Sequence, residues 1–282
     1  MCKNSISVIS PAKINLGLRI LDKRDDGYHN LDTIFCELGF GDELQFTESE
    51  NFKFTAEGID VPTDDSNLVV KAYKALFSKK PKDKSEYHIH LIKNTPIGAG
   101  LGGGSSNAGI VIKTLNKLWD LKLSIEEMES ISAKLGADVA FFIKGKVQHA
   151  EGIGDELTPI DSIFLNGKKI LLVCPDFSIS TAWAYKNINK FLNVQKNSLK
   201  FAPFETPINW QLFENDFEKV VKSAYPETGE IIKSLQKADA IYAGLSGSGS
   251  TVFGIYDQKF DLTSIQDSFP DTYRTFVTCF IL

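Results

Sequence analysis

The chain has 282 residues, a length typical of one large domain or two modest ones. Hydrophobic residues make up 43% and charged residues 24%, the ordinary balance of a globular protein whose core needs no disulfides. A net charge of −5 disfavours a nucleic-acid-binding face, which needs concentrated lysine and arginine. It remains compatible with a phosphorylated ligand held by a few local cations or backbone amides.

No segment approaches the ~20 apolar residues of a membrane span, and residues 1–6 carry no long apolar signal region. The four cysteines stand far apart and form no Cys-x-x-Cys pair, so we expect reduced thiols rather than a zinc or redox site. They are Cys2, Cys36, Cys174 and Cys279. These features predict a soluble, cytoplasmic protein without a membrane or nucleic-acid partner.

The first ninety residues are predicted to form mostly strands, because apolar and polar residues alternate with period two. The alternating apolar positions are Ile6, Val8, Leu16, Leu18, Ile20, Leu44, Phe46, Phe52 and Phe54. A helix interrupts this pattern after Ser66, the predicted N-cap, since residues 68–77 place apolar side chains at helical spacing.

A further strand is predicted over residues 86–93, with His88 and His90 on one face. Two histidines at this spacing are compatible with a metal site, but no third ligand is nearby in the sequence. A solvated strand face is therefore the preferred interpretation of the pair.

Downstream, Ser124 and Glu127 form a capping box, which predicts a helix that ends at Gly136. Beyond residue 160 the pattern changes. It predicts a strand at 169–174, a helix from Ser180, a polar stretch at 193–209, a helix at 227–237, a strand-turn-strand at 240–256 and a strand at 275–281. Strands and helices mixed in this way predict an α+β fold in two halves.

Residues 96–108 are the most informative segment, with five glycines in the seven positions from Gly98 to Gly104. Such a run is entropically costly unless the backbone must approach a ligand closely. It leads into a predicted helix, whose free N–H groups and positive dipole end attract phosphate. Ser105 and Ser106 add hydroxyls that suit a helix cap, a phosphate or a metal ion. A flexible linker is disfavoured, because a clear strand and a clear helix flank the segment.

Other nucleotide-binding motifs fit less well. Gly98, Gly100 and Gly103 satisfy the dinucleotide pattern, but that fold expects a second strand ending in an acidic residue. Here Asp120 directly follows the first helix, and another helix comes next. A Walker A loop would need Gly-Lys-Ser/Thr, which is absent, and the catalytic motifs of protein kinases are missing as well.

Residues 96–108 closely resemble the phosphate-binding motif of the GHMP kinases (galactokinase, homoserine kinase, mevalonate kinase and phosphomevalonate kinase). Residues 11–16 and 244–254 resemble two further motifs of that family, in the right order. The last is a second glycine-rich turn, which in the family packs against the phosphate loop. The resemblance implies a two-domain α+β fold: an ATP-binding domain over 1–160, a domain over 161–282 that contributes to the substrate site, and the active site in the cleft between them.

Within the family, residues 11–16, 26–31, 135–139 and 150–155 resemble the members that act on a cytidine-diphosphate-linked methylerythritol in the non-mevalonate isoprenoid pathway. Those members move the γ-phosphoryl group of ATP to the 2-hydroxyl of the erythritol unit, and Mg²⁺ is the expected metal. Two alternatives stay open. One is a GHMP kinase for mevalonate-type or sugar substrates, and the other is a catalytically silent nucleotide-binding or scaffold protein on this fold.

The resemblance implies that Asp138 is the general base and Lys13 its partner. Asp138 opens the apolar run at 139–143, and a partly desolvated carboxylate suits that role. Lys13 opens an otherwise apolar strand, where it could hold Asp138 and stabilise the transferring phosphoryl group. Asn15 is expected near the reacting hydroxyl. Without the family motifs, a turn aspartate and a solvated lysine are the ordinary interpretations.

The same resemblance makes Tyr28 and His29 the reader of the cytidine base, through an aromatic face and a hydrogen-bonding edge. Thr181 and Tyr185 then fall on the other side of the base. Trp183 is a rival for the stacking role of Tyr185.

The nucleotide is expected to contact the glycine-rich segment and two flanking elements. The expected contacts are Pro96, Gly98, Gly100, Leu101, Gly102, Gly103, Gly104, Ser105 and Ser106 at the phosphates, with Asn67, Leu68 and Lys93 near the adenosine. For Asn67 and Lys93 a helix start and a strand-end lysine are equally ordinary interpretations. The ligand of Mg²⁺ and the oligomeric state are left open.

Overall fold

The computed structural model describes residues 5–188 and 208–282, so Cys2 and nearly all of the predicted polar stretch at 193–209 lie outside the described residues. The chain divides into two compact units. Unit 1 consists of residues up to Ala12 together with Gly41–Ile97 and Gly102–Gly145, and unit 2 consists of Lys13–Phe40, Gly98–Leu101 and the residues from Lys146 onward.

Strands and helices both contribute to each unit. The strands are β1 (Ser5–Lys23), β2 (His29–Ser49), β3 (Lys53–Gly58), β4 (Glu86–Lys93), β5 (Val147–Glu151), β6 (Glu156–Pro159), β7 (Lys168–Cys174), β8 (Tyr242–Leu245), β9 (Val252–Asp257) and β10 (Arg274–Cys279). The helices are α1 (Leu68–Phe77), α2 (Gly103–Leu118), α3 (Ile125–Ala133), α4 (Ala137–Lys144), α5 (Thr181–Ile188), α6 (Phe217–Ala224), α7 (Pro226–Lys237) and α8 (Thr263–Gln266).

In unit 1, β4 pairs antiparallel with the second half of β2 and parallel with β3. Its buried side chains are Tyr87, Ile89 and Leu91, so the predicted strand and its buried face are confirmed. These residues join one core cluster with the apolar stripes of α1 and α2, and the cluster also contains Trp119. Alternation along the strand and helical spacing along α1 thus bury one face of each element.

His88 and His90 lie on the opposite face of β4, and both imidazoles hydrogen-bond the Thr55 hydroxyl, at 2.7 and 2.8 Å. Across residues 5–188 and 208–282, no group of three or more His, Cys, Asp or Glu side chains is arranged to hold a metal ion. The histidines therefore have ordinary partners on the sheet face.

The N-cap of α1 is Asn67, and the prediction of Ser66 was wrong by one residue. The Ser66 hydroxyl donates to Asp64 at 2.6 Å, whereas Asn67 Oδ1 accepts from the Val69 amide at 2.9 Å. Ser66 belongs to the preceding turn, and the free amides of the first helical turn are satisfied by the next residue along.

The predicted capping box of Ser124 and Glu127 is confirmed, with both reciprocal hydrogen bonds present. However, α3 ends at Ala133, so the prediction that it ends at Gly136 was wrong. Gly136 is instead the N-cap of α4, and the apolar run at 139–143 is helical. This places Asp138 in the first turn of α4.

In unit 2, the first half of β2 pairs antiparallel with β5, and β5 with β6. A second, antiparallel sheet has the strand order β10-β7-β9-β8. The strands and helices predicted beyond residue 160 are confirmed to within a few residues, but the short α8 was not predicted, and neither was α6. That helix has only eight residues, and it buries Phe217, Val220 and Val221.

No helix among residues 5–188 and 208–282 is long and apolar enough to cross a membrane.

Candidate active site

The glycine-rich segment is divided between the units, since Gly98–Leu101 belongs to unit 2 and its flanks to unit 1. In unit 2, the backbone at Gly100 has φ +78° and lies against the second glycine-rich turn. A Cβ atom there would stand 2.1 Å from the Ser246 carbonyl oxygen. Only glycine fits, because of both the left-handed backbone and the missing space.

The Ser246 side chain joins this loop to the first strand. Its Oγ donates to the Gly100 carbonyl at 2.8 Å and accepts from the Asn15 amide at 3.3 Å. The Thr251 amide adds a bond to the Ala99 carbonyl at 3.2 Å. The expectation that the second glycine-rich turn packs on the phosphate loop is confirmed for this part of the loop.

Lys13 and Asn15 form the centre of a buried polar chain in unit 2. The Lys13 ammonium donates to Asn15 Oδ1 at 2.6 Å and lies 4.8 Å from the centroid of the Phe35 ring. Asn15 Nδ2 donates to the Thr33 hydroxyl at 3.1 Å, which itself donates to the Gly17 carbonyl. Each link fixes the orientation of the next, so these hydrogen bonds hold the ammonium of Lys13 in place. The residue is only 4% exposed.

His29 stacks on Tyr185, with ring centroids 5.4 Å apart and planes at 21°. The imidazole is buried, and its Nε2 has no hydrogen-bond partner among the described residues. A buried nitrogen without a partner is costly, and a ligand group would relieve that cost. Tyr28, next to it, is 62% exposed.

Trp183, the alternative candidate for stacking on the base, contacts a different residue from Tyr185. Its indole meets the Tyr225 ring edge-on at 5.5 Å, and both rings pack against the core cluster of unit 2. Tyr185 contacts His29 on one side and Phe217 on the other. Thr181, at the start of the same helix, shares a hydrogen bond of 3.0 Å with the Ser248 hydroxyl in the second glycine-rich turn. The structure thus brings Tyr185, not Trp183, to His29.

In unit 1, α2 begins inside the glycine-rich segment, with Gly102 as a left-handed N-cap at φ +66°. A Cβ on Gly103 would stand 2.7 Å from Lys93 Nζ and 2.9 Å from Thr95 Cγ2, so this residue rests directly on the end of β4. Gly104 is exposed, and its nearest neighbour would be Leu68 Cδ1 at 3.8 Å. The open side of the first turn is therefore at Gly104.

Asp42, which no sequence motif indicated, lies beneath this helix start and is fully buried. Its carboxylate accepts from Lys93 Nζ at 2.5 Å, from the Asn94 and Thr95 amides at 2.8 and 2.7 Å, and from Asn107 Nδ2 at 2.9 Å. Burial lowers the pKa of the Lys93 ammonium, and the Asp42 carboxylate opposes that shift. This carboxylate therefore holds the end of β4 and the first turn of α2 together, which fixes the start of the helix that follows the glycine-rich segment.

The two serines of the segment differ. Ser106 is fully buried, and its hydroxyl shares a 2.8 Å hydrogen bond with Ser10, which also accepts from Asn107. Ser105 is only partly buried. The Ser106 hydroxyl is therefore part of the hydrogen bonding inside unit 1, whereas Ser105 is partly accessible to solvent.

Asp138 occupies the second position of α4, where the helix dipole favours a carboxylate. Gly109 sets the distance between α4 and α2, since a Cβ there would stand 2.9 Å from the Phe142 Cβ. Asp138 belongs to unit 1 and Lys13 to unit 2. Asn67, predicted near the adenosine, uses its side chain to cap α1 and to donate to the Pro62 carbonyl at 2.7 Å.

Two family models match the chain, "GHMP kinases N terminal domain" over residues 67–146 and "GHMP kinases C terminal" over residues 203–275. A protein from Chlorobium chlorochromatii is 39% identical over 273 residues, which are 95% of this chain and 94% of that one. The chain belongs to the GHMP kinase family.

The relatives that this GHMP kinase resembles over most of its length carry the same name. The protein from Chlorobium chlorochromatii is called 4-diphosphocytidyl-2-C-methyl-D-erythritol kinase. A protein of the same name from Bacteroides fragilis is 42% identical over 263 residues, covering 90% of this chain and 93% of that one. The predicted family and enzyme class are therefore confirmed, and the chain is a kinase of a family that uses ATP.

Solved structures agree with this placement. The crystal structure of a 4-(cytidine 5'-diphospho)-2C-methyl-D-erythritol kinase matches with a TM-score of 0.79 and 25% identity, over 98% of this chain and 99% of that one. Mevalonate kinase from Methanococcus jannaschii matches with a TM-score of 0.75 at 14% identity over 99% of each chain, which supports the fold alone. The predicted α+β GHMP kinase fold is confirmed.

Proposed function

We propose that this GHMP kinase transfers the γ-phosphoryl group of ATP to the 2-hydroxyl of 4-diphosphocytidyl-2-C-methyl-D-erythritol, a step of the non-mevalonate route to isoprenoid precursors. The names of relatives 39–42% identical over most of the chain support this substrate. We further propose an ATP-binding domain over 1–160 and a domain over 161–282 that contributes to the substrate site. The buried free thiols of Cys36 and Cys174 fit a reducing, cytoplasmic location.

The observation that carries the substrate assignment is the buried His29 imidazole stacked on Tyr185, with its Nε2 lacking a partner among the described residues. A nucleobase is recognised by stacking on aromatic rings and by hydrogen bonds along its edge. Cytosine offers both an amino donor and acceptor atoms on that edge. We infer that the cytidine base supplies the missing partner of His29, with Tyr28, Tyr185 and Thr181 beside it.

For the transfer step, we assign Asp138 as the base that accepts the hydroxyl proton and Lys13 as the cation that faces the transferring phosphoryl group. Phosphoryl transfer depends mainly on positioning and on stabilising charge. The orientation of Lys13 by Asn15 and Thr33 supports such preorganisation, because a fixed ammonium needs no rearrangement during the reaction. We assign the second N–H of the Asn15 amide, which donates its other hydrogen to Thr33, to the substrate hydroxyl.

For ATP, we assign the phosphates to the glycine-rich segment from Pro96 to Ser106 and the adenosine to the region of Asn67, Leu68 and Lys93. The left-handed N-cap at Gly102 and the open face at Gly104 support close approach of phosphate to the first turn of α2.

Mg²⁺ in kinases is held largely by phosphate oxygens and water, with one or two protein oxygens. Because the Ser106 hydroxyl is shared with Ser10, we assign the protein contribution to the Ser105 hydroxyl. When bound, the ion neutralises charge on the phosphate oxygens.

The test is an ATP-consumption assay with three acceptors. The purified protein should release ADP with 4-diphosphocytidyl-2-C-methyl-D-erythritol. It should release none with mevalonate or without an acceptor. Turnover with mevalonate would assign it to another GHMP kinase class. ATP binding without turnover on any acceptor would indicate a silent nucleotide-binding protein.

A further inference from the structure

Asn215 lies outside every motif that the sequence indicated, yet its side chain makes three hydrogen bonds in the core of unit 2. Nδ2 donates to the carbonyl oxygens of Leu245 and Gly247, both at 2.8 Å. Oδ1 accepts from the Phe217 amide at 2.9 Å. The residue is 4% exposed, so both N–H groups and the carbonyl of its amide have protein partners rather than water.

The two carbonyls that Asn215 binds flank Ser246, so the amide bridges this residue of the second glycine-rich turn. Ser246 Oγ in turn contacts the Gly100 carbonyl and the Asn15 amide. A small displacement of the turn would therefore move the hydroxyl that joins the phosphate loop to the strand carrying Lys13 and Asn15.

The backbone around Asn215 is anchored on that same strand. The Leu18 amide donates to the Glu214 carbonyl at 3.0 Å, and the Asp216 amide donates to the Leu18 carbonyl at 2.8 Å. Asp216 Oδ2 also accepts from the Ile20 amide at 2.9 Å. Asn215 thus connects β1 to the turn from one side, while Ser246 connects the turn to β1 and the phosphate loop from the other.

We propose that Asn215 is a positioning residue, which sets the register of the second glycine-rich turn against the phosphate loop and the strand of Lys13. Its effect on phosphoryl transfer rests on the proposed function, whereas its effect on ATP binding does not. Only an amide meets the local demand, since two carbonyl oxygens need two donors and the Phe217 amide needs an acceptor. A carboxylate of the same shape would face both carbonyls with oxygen.

The experiment compares Asn215→Asp with Asn116→Asp. Asn116 is a matched control in unit 1, because its amide also bonds backbone groups, the Leu123 carbonyl and amide, and lies at the opposite end of α2 from Gly103. Affinity for a non-hydrolysable ATP analogue is measured by titration calorimetry, and kcat and the KM for ATP are measured well below each variant's melting temperature. We expect Asn215→Asp to weaken the analogue about tenfold and to lower kcat by about tenfold or more, as losing a buried hydrogen-bond pair can do.

Asn116→Asp should lower the melting temperature and leave the analogue affinity and the ATP KM unchanged. A purely structural role for Asn215 would reduce the folded fraction in the same way, without changing the ATP KM of the enzyme that remains. Equal analogue affinities and ATP KM values in the two variants would overturn the proposal.

If Asn215→Asp does not fold, Asn215→Ser and Ser246→Ala replace it. The proposal requires that both weaken the analogue and that the double variant is little worse than the poorer single one, because the two residues act through one turn. Full analogue affinity in Ser246→Ala would overturn it. If the wild type fails to phosphorylate the cytidine substrate while Asn215→Asp still loses analogue affinity, the proposed function fails and the positioning role stands.

Discussion

The imidazole of His29 lies 5.4 Å from the Tyr185 ring, centroid to centroid, with the two planes 21° apart. His29 begins β2 and Tyr185 lies in α5, so the pair forms only when distant segments of unit 2 pack together. The pair presents a ring face and a nitrogen edge, which together are the requirements for holding a nucleobase.

Replacing Tyr185 by Ala should cost about 1–3 kcal/mol of binding free energy for the cytidine substrate, because that is the usual contribution of base–aromatic stacking. Tyr28→Ala is expected to cost a similar amount, and Tyr185→Phe should retain most of the affinity since it keeps the ring. Calorimetric titration with the substrate measures each loss, and affinity for an ATP analogue should stay constant. Weakening in Trp183→Ala together with wild-type affinity in Tyr185→Ala would transfer the stacking role to Trp183.

A methyl group at Gly104 should weaken ATP binding at least tenfold without harming the fold. The nearest atom to an added Cβ would be Leu68 Cδ1 at 3.8 Å, and alanine has a higher helix propensity than glycine. Any loss of affinity then reflects a collision with the nucleotide. Gly229→Ala in α7 is the matched control, since its Cβ would meet only Lys222 at 3.5 Å. Thermal unfolding and calorimetry should show raised or equal stability in both variants and lost ATP affinity in Gly104→Ala alone.

Gly103→Val is a harsher test of the same loop. Its side chain would meet Lys93 and Thr95, so it should abolish ATP binding by displacing the first turn of α2, and some stability should be lost as well. Unchanged ATP affinity in folded Gly104→Ala would contradict the placement of phosphate at this turn.

Asp138→Asn keeps the shape of the side chain and removes the proton acceptor, so kcat should fall by roughly 10²–10⁴. The KM for the substrate should change little. Lys13→Met should lower kcat too, and the double variant should be only slightly worse than the poorer single one, because residues that act as a unit are not additive. Steady-state kinetics check all three. Retention of more than about a tenth of the wild-type kcat in Asp138→Asn would mean that Asp138 orients the hydroxyl and that loop positioning accounts for the rate.

Asp42→Asn should lower the free energy of unfolding by about 3–5 kcal/mol, because it leaves the buried Lys93 ammonium without its counter-ion. Asp65→Asn is the control. Its partner Lys74 lies at the same 2.5 Å, but the two side chains are 56% and 79% exposed, so the loss should be within about 0–1 kcal/mol.

Urea unfolding compares these variants with the double variant Asp42→Asn, Lys93→Met. The double variant should recover part of the lost stability, since it no longer buries an unpaired charge. Equal losses in Asp42→Asn and Asp65→Asn would show that the buried pair adds no more stability than an exposed one.

Local patterns in the sequence determined much of this protein. The three glycine- and lysine-containing motifs, in their order, indicated the family, which the matched models and relatives confirm. Alternation over 86–93 predicted β4, and the spacing of Ser124 and Glu127 predicted the start of α3. These features are legible because they depend on residues a few positions apart, where backbone geometry alone decides which side chains meet.

Tertiary structure decided which polar groups are partners across the chain. Asp42 looks like any carboxylate in a strand, and Asn215 looks like any turn residue, until packing buries them against Lys93 and against the carbonyls around Ser246. The choice of Tyr185 over Trp183 as the neighbour of His29 was likewise made by how α5 packs in unit 2. A buried polar group must find its partners wherever the fold brings them, so such pairs leave no periodic trace in the sequence.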